Sequence, residues 1–104
     1  MNEAEFKRHY EATLLAIEEA IERSGADIEF ETTNDILTLE FPNRSKIIIN
    51  KQEPLHQIWV ATRKNGYHFE YRDGQWIDIR EGHELMALLT EACSSQAGEP
   101  VELG

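Results

Sequence analysis

The sequence contains one cysteine, four histidines and ten basic residues among 104, and each of these low numbers excludes a class of protein. Cys93, standing alone, cannot form an internal disulfide bond or a cysteine-rich zinc or iron–sulfur site. The histidines lack the HExxH spacing of a zinc enzyme. Twenty acidic residues give a net charge of -10, which disfavours nucleic acids and anionic membrane surfaces as direct partners.

Long hydrophobic runs and known catalytic motifs are also absent. No apolar run reaches the roughly 20 residues needed to cross a bilayer, and the first ten residues lack the basic-then-apolar order of a secretory signal. The sequence has no nucleophile elbow, phosphate loop, dinucleotide fingerprint or EF-hand loop. A hydrophobic content of 40% is nevertheless enough for a core. We therefore expect one cytoplasmic domain over residues 1–104.

The acidic residues are concentrated in the first part of the chain. Residues 1–40 carry eleven Asp and Glu against three Lys and Arg, whereas residues 41–104 carry nine against seven. Charge placed for solubility alone would be spread more evenly. A concentrated acidic surface attracts hard metal cations or a basic protein partner.

Apolar spacing predicts a helix, then strands, then a second helix. An apolar stripe at spacings of three and four runs from Phe6 to Ile21, with a capping pair at Asn2 and Glu5 and a stop at Gly25. A closing helix is predicted over His83–Gln96. Between the helices, alternating segments separated by turn residues predict strands at 28–31, Ile36–Phe41, Ser45–Asn50, Gln57–Arg63, Tyr67–Tyr71 and Gln75–Ile79.

This order predicts an α+β fold in which two helices pack on one face of a sheet of about six strands. Tight turns between the strands favour antiparallel pairing, because parallel neighbours need long crossovers. Two amphipathic helices and one sheet bury their apolar sides as a two-layer α-β sandwich. The other face of the sheet is then left to solvent or to a partner.

Seven carboxylates of the first helix and the first strand are predicted to share a surface, which we call the acidic ridge. Glu11, Glu18 and Glu22 fall within about 40° on a helical wheel, with Glu19 further round. Like charges four residues apart destabilise a helix, so their repetition here favours function over chance. Exposed carboxylates without soft ligands suit iron, manganese, calcium or magnesium, bound weakly. The ridge comprises Glu11, Glu18, Glu19, Glu22, Asp27, Glu29 and Glu31.

A second candidate surface, which we call the docking face, surrounds Trp59. Strand alternation places Ile58 and Val60 toward the core, and therefore Gln57 and Trp59 on the outward side. An outward tryptophan among amide side chains is typical of a protein contact site, because it offers a large area and one donor. The docking face comprises Asn50, Gln52, Gln57 and Trp59.

The segment Ile49–Ala61, with the sequence INKQEPLHQIWVA, resembles the signature of the bacterial frataxin family, as do Gly66–Phe69 and Trp76. The resemblance extends over nearly the whole chain. It implies a protein that binds iron through the ridge and regulates iron–sulfur cluster assembly by contacting the cysteine desulfurase and its scaffold proteins. The metal positions that it implies are Glu18, Glu19, Glu22, Asp27, Glu29 and Glu31; the contact positions are those of the docking face.

Three functions remain open at this point. The first is a non-enzymatic iron-binding regulator, a monomer that iron can drive into oligomers, with other hard cations as surrogates. The second is a ferroxidase, although the buried Glu-x-x-His pattern of di-iron bundles is missing. The third is an acidic adaptor that binds proteins only, with incidental metal binding. The sequence favours the first.

Overall fold

The first helix, α1, begins and ends where the sequence predicts. In the computed structural model, which describes all of residues 1–104, α1 spans Glu3–Ser24. The Asn2 side chain accepts a hydrogen bond from the Glu5 N–H at 2.8 Å, and the Glu5 carboxylate accepts one from the Asn2 N–H at 3.2 Å. Gly25 ends the helix with a φ of 69°, which glycine adopts without strain. The buried stripe is Phe6, Tyr10, Leu14, Ile17, Ala20 and Ile21.

Six antiparallel strands form one sheet in which each strand pairs with the next along the chain. This meander confirms the predicted sheet and leaves β1 and β6 at its two edges. A short 3-10 helix, Glu53–Leu55, connects the third and fourth strands. The strands are β1 Glu29–Thr33, β2 Ile36–Glu40, β3 Lys46–Gln52, β4 Gln57–Ala61, β5 Gly66–Arg72 and β6 Gln75–Asp78.

The two faces of the sheet differ in burial, as strand alternation requires. The inner face joins both helices in one core of 22 buried residues, which confirms the two-layer α+β sandwich. The outer face is not covered by any element of the chain. Neither helix is long and apolar enough to cross a membrane. The buried inner-face residues of β2 to β5 are Leu37, Leu39, Ile47, Ile49, Ile58, Val60 and Phe69.

The second helix, α2, spans Leu85–Ala97 and so starts two residues later than predicted. The Glu84 carboxylate accepts hydrogen bonds from the N–H groups of Met86 at 2.9 Å and Ala87 at 3.1 Å, which makes Glu84 the N-cap.

Some strand ends also differ from the predicted ones by two residues. β4 stops at Ala61 rather than Arg63, because Thr62 closes the turn that follows.

The C-terminal residues contribute to the core, which the sequence analysis missed. Val101 and Leu103 are 3% and 2% exposed, and both belong to the core cluster. The Val101 N–H donates to the Ser94 hydroxyl at 2.9 Å, which attaches the tail to α2.

Cys93, on α2, is fully buried as a small core residue, and burial raises the pKa of its thiol to about 12.

Candidate functional site

The helical half of the acidic ridge lies along the exposed side of α1. Glu11, Glu19 and Glu22 are exposed, whereas Glu18 is half-buried and accepts a hydrogen bond from the Thr32 hydroxyl at 2.5 Å. Thr32 belongs to β1, so this bond joins the two elements that carry the ridge. Glu11 and Glu22 are eleven residues apart, or about 16 Å along the helix axis. The helical half is therefore an elongated row.

The strand half of the ridge lies on the outer face of the sheet. Glu29 and Glu31 alternate with Phe30, which packs against the core, and both carboxylates are exposed. Glu29 is paired across the strands with Glu40 of β2, so two carboxylates stand opposite each other. Asp27 is exposed in the connection from α1. The ridge therefore wraps around the edge strand β1 from the helix layer to the outer face.

The seven ridge carboxylates do not converge on one point. No three of them place ligand oxygens within 4.8 Å of one another. The donor set nevertheless fits a hard cation, because it consists only of carboxylate oxygens, six of the seven on exposed residues. Such a surface holds cations by local charge and by pairs of carboxylates rather than by a closed shell of ligands. Weak, multiple binding is the chemistry that this arrangement supports.

One convergent group of possible ligands lies elsewhere, and sequence reasoning missed it. Asp78, at the end of β6, and Glu81 and His83, in the connection to α2, place ligand atoms within 4.8 Å of one another. Asp78 is 2% exposed, and its carboxylate accepts the N–H groups of Arg80 at 2.8 Å and Glu81 at 3.2 Å. It also contacts His83 Nδ1 at 3.0 Å. The short Asp-x-x-Glu-x-His spacing was the available signal.

These hydrogen bonds stabilise the loop between β6 and α2, with the Asp78 carboxylate as their common acceptor. Burial by itself would raise the pKa of Asp78, but the hydrogen bonds from Arg80, Glu81 and His83 outweigh it and leave the pKa below its usual range. Both carboxylate oxygens already have partners within the loop. The group is thus explained by the local structure.

All four residues of the docking face lie on the outer side of β3 and β4. Asn50 is paired across the strands with Trp59, and Gln52 with Gln57. Ile58 and Val60 are buried in the core, so Trp59, which lies between them and is half-buried, points to the outer face. Asn50 is exposed, but Gln57 is only 7% exposed and lies beneath its neighbours. The four residues therefore present unequal surfaces.

Three residues of β5 extend the docking face and were not singled out from the sequence. His68 is paired with Trp59 in the strand register, and their rings stack 4.1 Å apart at an angle of 10°. Glu70 is paired with Gln57, and Arg72 forms an ion pair with Glu70 at 3.0 Å. The alternation of β5 was the signal, since Tyr67 and Phe69 turn inward.

Lys51, which lies between two docking residues in sequence, faces the other way. Its ammonium group pairs with Asp35 at 3.2 Å and Glu53 at 2.7 Å, and lies over the ring of Tyr10 at 5.8 Å. The hydrogen bond with Glu53 is the main cause that raises the pKa of Lys51. The lysine of the signature segment therefore anchors the turn between β1 and β2 and the 3-10 helix.

Comparison with known proteins decides the family. The frataxin-like domain family matches residues 1–99. The chain belongs to the frataxin family. It is 57% identical, over all 104 of its residues and the full length of the relative, to the iron-sulfur cluster assembly protein CyaY of Tolumonas auensis. The predicted resemblance to bacterial frataxins is thereby confirmed.

Solved frataxin structures share the architecture of the chain. Frataxin from Psychromonas ingrahamii is 45% identical and superimposes with a TM-score of 0.94, covering 100% of this chain and 99% of the other. Trimeric frataxin from the yeast Saccharomyces cerevisiae, complexed with ferrous iron, is 29% identical with a TM-score of 0.71, covering 95% of this chain and 88% of the other.

In this frataxin, the strand half of the ridge and the docking face occupy one continuous surface. A cross-strand row runs from Glu31 through Thr38 and Ile48 to Ala61. At about 4.8 Å per strand, the ends of the row are about 14 Å apart. Ile48, in the middle, is 40% exposed, and Trp59 lies two residues from Ala61 on the same face. One partner of ordinary interface size can cover both.

Proposed function

We propose that this chain is an iron-binding regulator of iron–sulfur cluster assembly that docks on the cysteine desulfurase and its scaffold protein through the outer face of the sheet. The observation that carries the proposal is the continuous surface from Glu31 to Trp59, in which an acidic end adjoins an apolar and amide-rich centre. The name of the Tolumonas auensis relative supports the assembly role.

The acidic end and the tryptophan centre have separate tasks in this proposal. Exposed carboxylates steer a basic partner and set the rate of association, which falls as salt screens them. A central aromatic anchor contributes the larger part of the affinity. The partner therefore presents basic side chains toward Glu29 and Glu31 and an apolar surface toward Trp59.

Iron is cargo on the ridge in this proposal rather than part of a catalytic centre. The oxygen-only donor set suits ferrous and ferric iron, and the ferrous complex of yeast frataxin supports iron as the metal. We propose binding without enzymatic turnover, because the ridge carboxylates do not converge on one point as the ligands of a di-iron oxidase do. Oxygen uptake that saturates with ferrous iron would instead favour the enzyme.

The proposed location is the cytoplasm, and the proposed resting state is a monomer. Cys93 is the only cysteine and is buried, which suits a reducing compartment. Iron that neutralises the ridge would relieve repulsion between copies and favour oligomers. Cell fractionation and sedimentation with and without iron test these two points.

The decisive experiment is a titration of the chain against a purified bacterial cysteine desulfurase and scaffold protein. Trp59→Ala should weaken binding by about 2 kcal/mol or more, mostly by raising the dissociation rate. Glu29→Gln with Glu31→Gln should mainly slow association and reduce its salt dependence. Glu91→Gln, an exposed change on α2, is the matched control. Equal binding by all four proteins would refute the proposal.

A further inference from the structure

The Trp59 indole is held by neighbours on two sides. His68 stacks flat against the ring, with centroids 4.1 Å apart. The Trp59 Nε1–H donates to Gln57 Oε1 at 2.8 Å. Gln57 is itself fixed, since it is 7% exposed and its amide N–H donates to Glu70 Oε2 at 3.4 Å. The Arg72 guanidinium donates to the other oxygen of Glu70 at 3.0 Å, which completes the chain of contacts.

This arrangement leaves the indole no hydrogen bond to offer a partner. Tryptophan has a single side-chain donor, and Gln57 already accepts from it. The free hydrogen-bonding groups of the docking face belong to its other two members. Asn50 accepts the Lys51 N–H at 2.8 Å but keeps its amide N–H groups free, and Gln52 makes no side-chain hydrogen bond within the chain.

We propose that His68 and Gln57 are positioning residues: His68 fixes the Trp59 ring, and Gln57 occupies its N–H. Trp59 therefore presents a rigid apolar surface to the partner, flanked by the free amides of Asn50 and Gln52. The inference rests on the proposed docking function and specifies the chemistry of the partner. That partner places an aliphatic or aromatic side chain on the ring and polar groups opposite the two amides. A ring fixed in advance costs less entropy on binding.

The first test follows the indole in the isolated protein. The chain has two tryptophans, so NMR of the indole N–H groups gives two signals, and the buried Trp76, whose N–H donates to Thr13 at 2.9 Å, is an internal reference. His68→Ala should lower the order parameter of the Trp59 indole and leave that of Trp76 unchanged. His68→Phe, which keeps a planar ring, should restore it. A Trp59 indole equally ordered in His68→Ala would overturn the proposal.

The second test measures affinity for the purified desulfurase and scaffold. Trp59→Phe, which keeps a ring without the N–H, should bind within about fivefold of the wild type, whereas Trp59→Ala should lose about 30-fold or more. His68→Ala should lose about three- to tenfold, and His68→Phe should recover it. A loss in Trp59→Phe as large as in Trp59→Ala would show that the N–H is recognised and overturn the proposal.

The two tests separate this inference from the function on which it rests. If the wild-type chain does not bind the desulfurase and scaffold at all, the proposed function fails, while the NMR result still decides whether His68 positions the indole. If His68→Ala frees the indole and binding is unchanged, the docking function stands, and the proposal that a fixed Trp59 ring contributes to affinity is refuted.

Discussion

The Thr32 hydroxyl donates a hydrogen bond to the Glu18 carboxylate across the gap between the first helix and the edge strand. This single contact fixes how the two halves of the acidic ridge meet. Thr32 faces the helix layer, so its neighbours Glu31 and Thr33 face the outer side of the sheet. The ridge is for this reason a band that turns around a sheet edge, accessible from two directions.

Hard cations should bind along this band and perturb residues 11–31 first. Substoichiometric cobalt or a lanthanide is expected to broaden the amide signals of Glu18, Glu22 and Glu31, because paramagnetic relaxation falls steeply with distance. Binding should weaken as salt rises, since exposed charges are screened beyond about 10 Å at 0.1 M. Broadening confined to Asp78, Glu81 and His83 would place the metal in the loop and contradict the ridge assignment.

Neutralising part of the ridge should stabilise the fold. The triple change Glu18→Gln, Glu19→Gln and Glu22→Gln removes repulsion worth a few tenths of a kcal/mol for each close pair, and glutamine still accepts from Thr32. We expect the Tm to rise by about 2–5 °C in a thermal melt. The control variant changes Glu91, Glu99 and Glu102 to Gln and so removes the same net charge away from the ridge. A fall in Tm specific to the ridge variant would mean that these side chains are structural.

The two tryptophans should differ in what their truncation costs. Trp76 is 5% exposed and packs edge-on against Phe6 and Tyr71, so Trp76→Ala should cost about 3–5 kcal/mol. Trp59→Ala loses one ring stack and one hydrogen bond, or about 1–2 kcal/mol. Urea denaturation measures both. Equal costs would place Trp59 energetically in the core and argue against an outward docking role.

Asp78 should make the free energy of unfolding depend on pH in the acidic range. Its pKa is lowered in the folded state, so the stabilisation is complete above the unfolded pKa of about 3.9 and is lost as pH falls through the folded value. Asp78→Asn should cost about 1–3 kcal/mol at pH 7, because an amide group then faces the donors of the loop. The variant's free energy of unfolding should also fall less steeply below pH 4 than that of the wild type. Parallel curves would exclude Asp78 as the titrating group.

The thiol of Cys93 should react only when the protein unfolds. It is fully buried and its pKa is raised to about 12, so almost no thiolate is present at pH 8. A thiol reagent such as Ellman's should modify it at the rate of global unfolding in the native protein and at once in denaturant. Cys93→Ser, which does not react at all, is the blank. Rapid reaction of the native protein would mean that α2 opens locally.

Much of the fold follows from short-range patterns in the sequence. The capping pair Asn2 and Glu5 and the stop at Gly25 define α1, because each depends only on residues within one turn of the helix. Alternation alone puts Trp59 on the outer face, since a strand has only two sides. The frataxin signature predicted the family, and the six strands between two amphipathic helices predicted the two layers.

The remaining features depend on which distant residues the tertiary structure brings together. Strand register pairs His68 with Trp59, nine residues away, and places Gln57 under its neighbours. Alternation predicts only that these three residues lie on the same face of the sheet. Helix packing brings Thr32 to Glu18. Core packing buries Val101, although the tail that carries it begins with the turn residues Gly98 and Pro100. The alternation of residues along a strand determined the face on which each side chain lies. Long-range packing decided which residue each side chain contacts and how far it is exposed, because the spacing of neighbouring residues encodes neither of these.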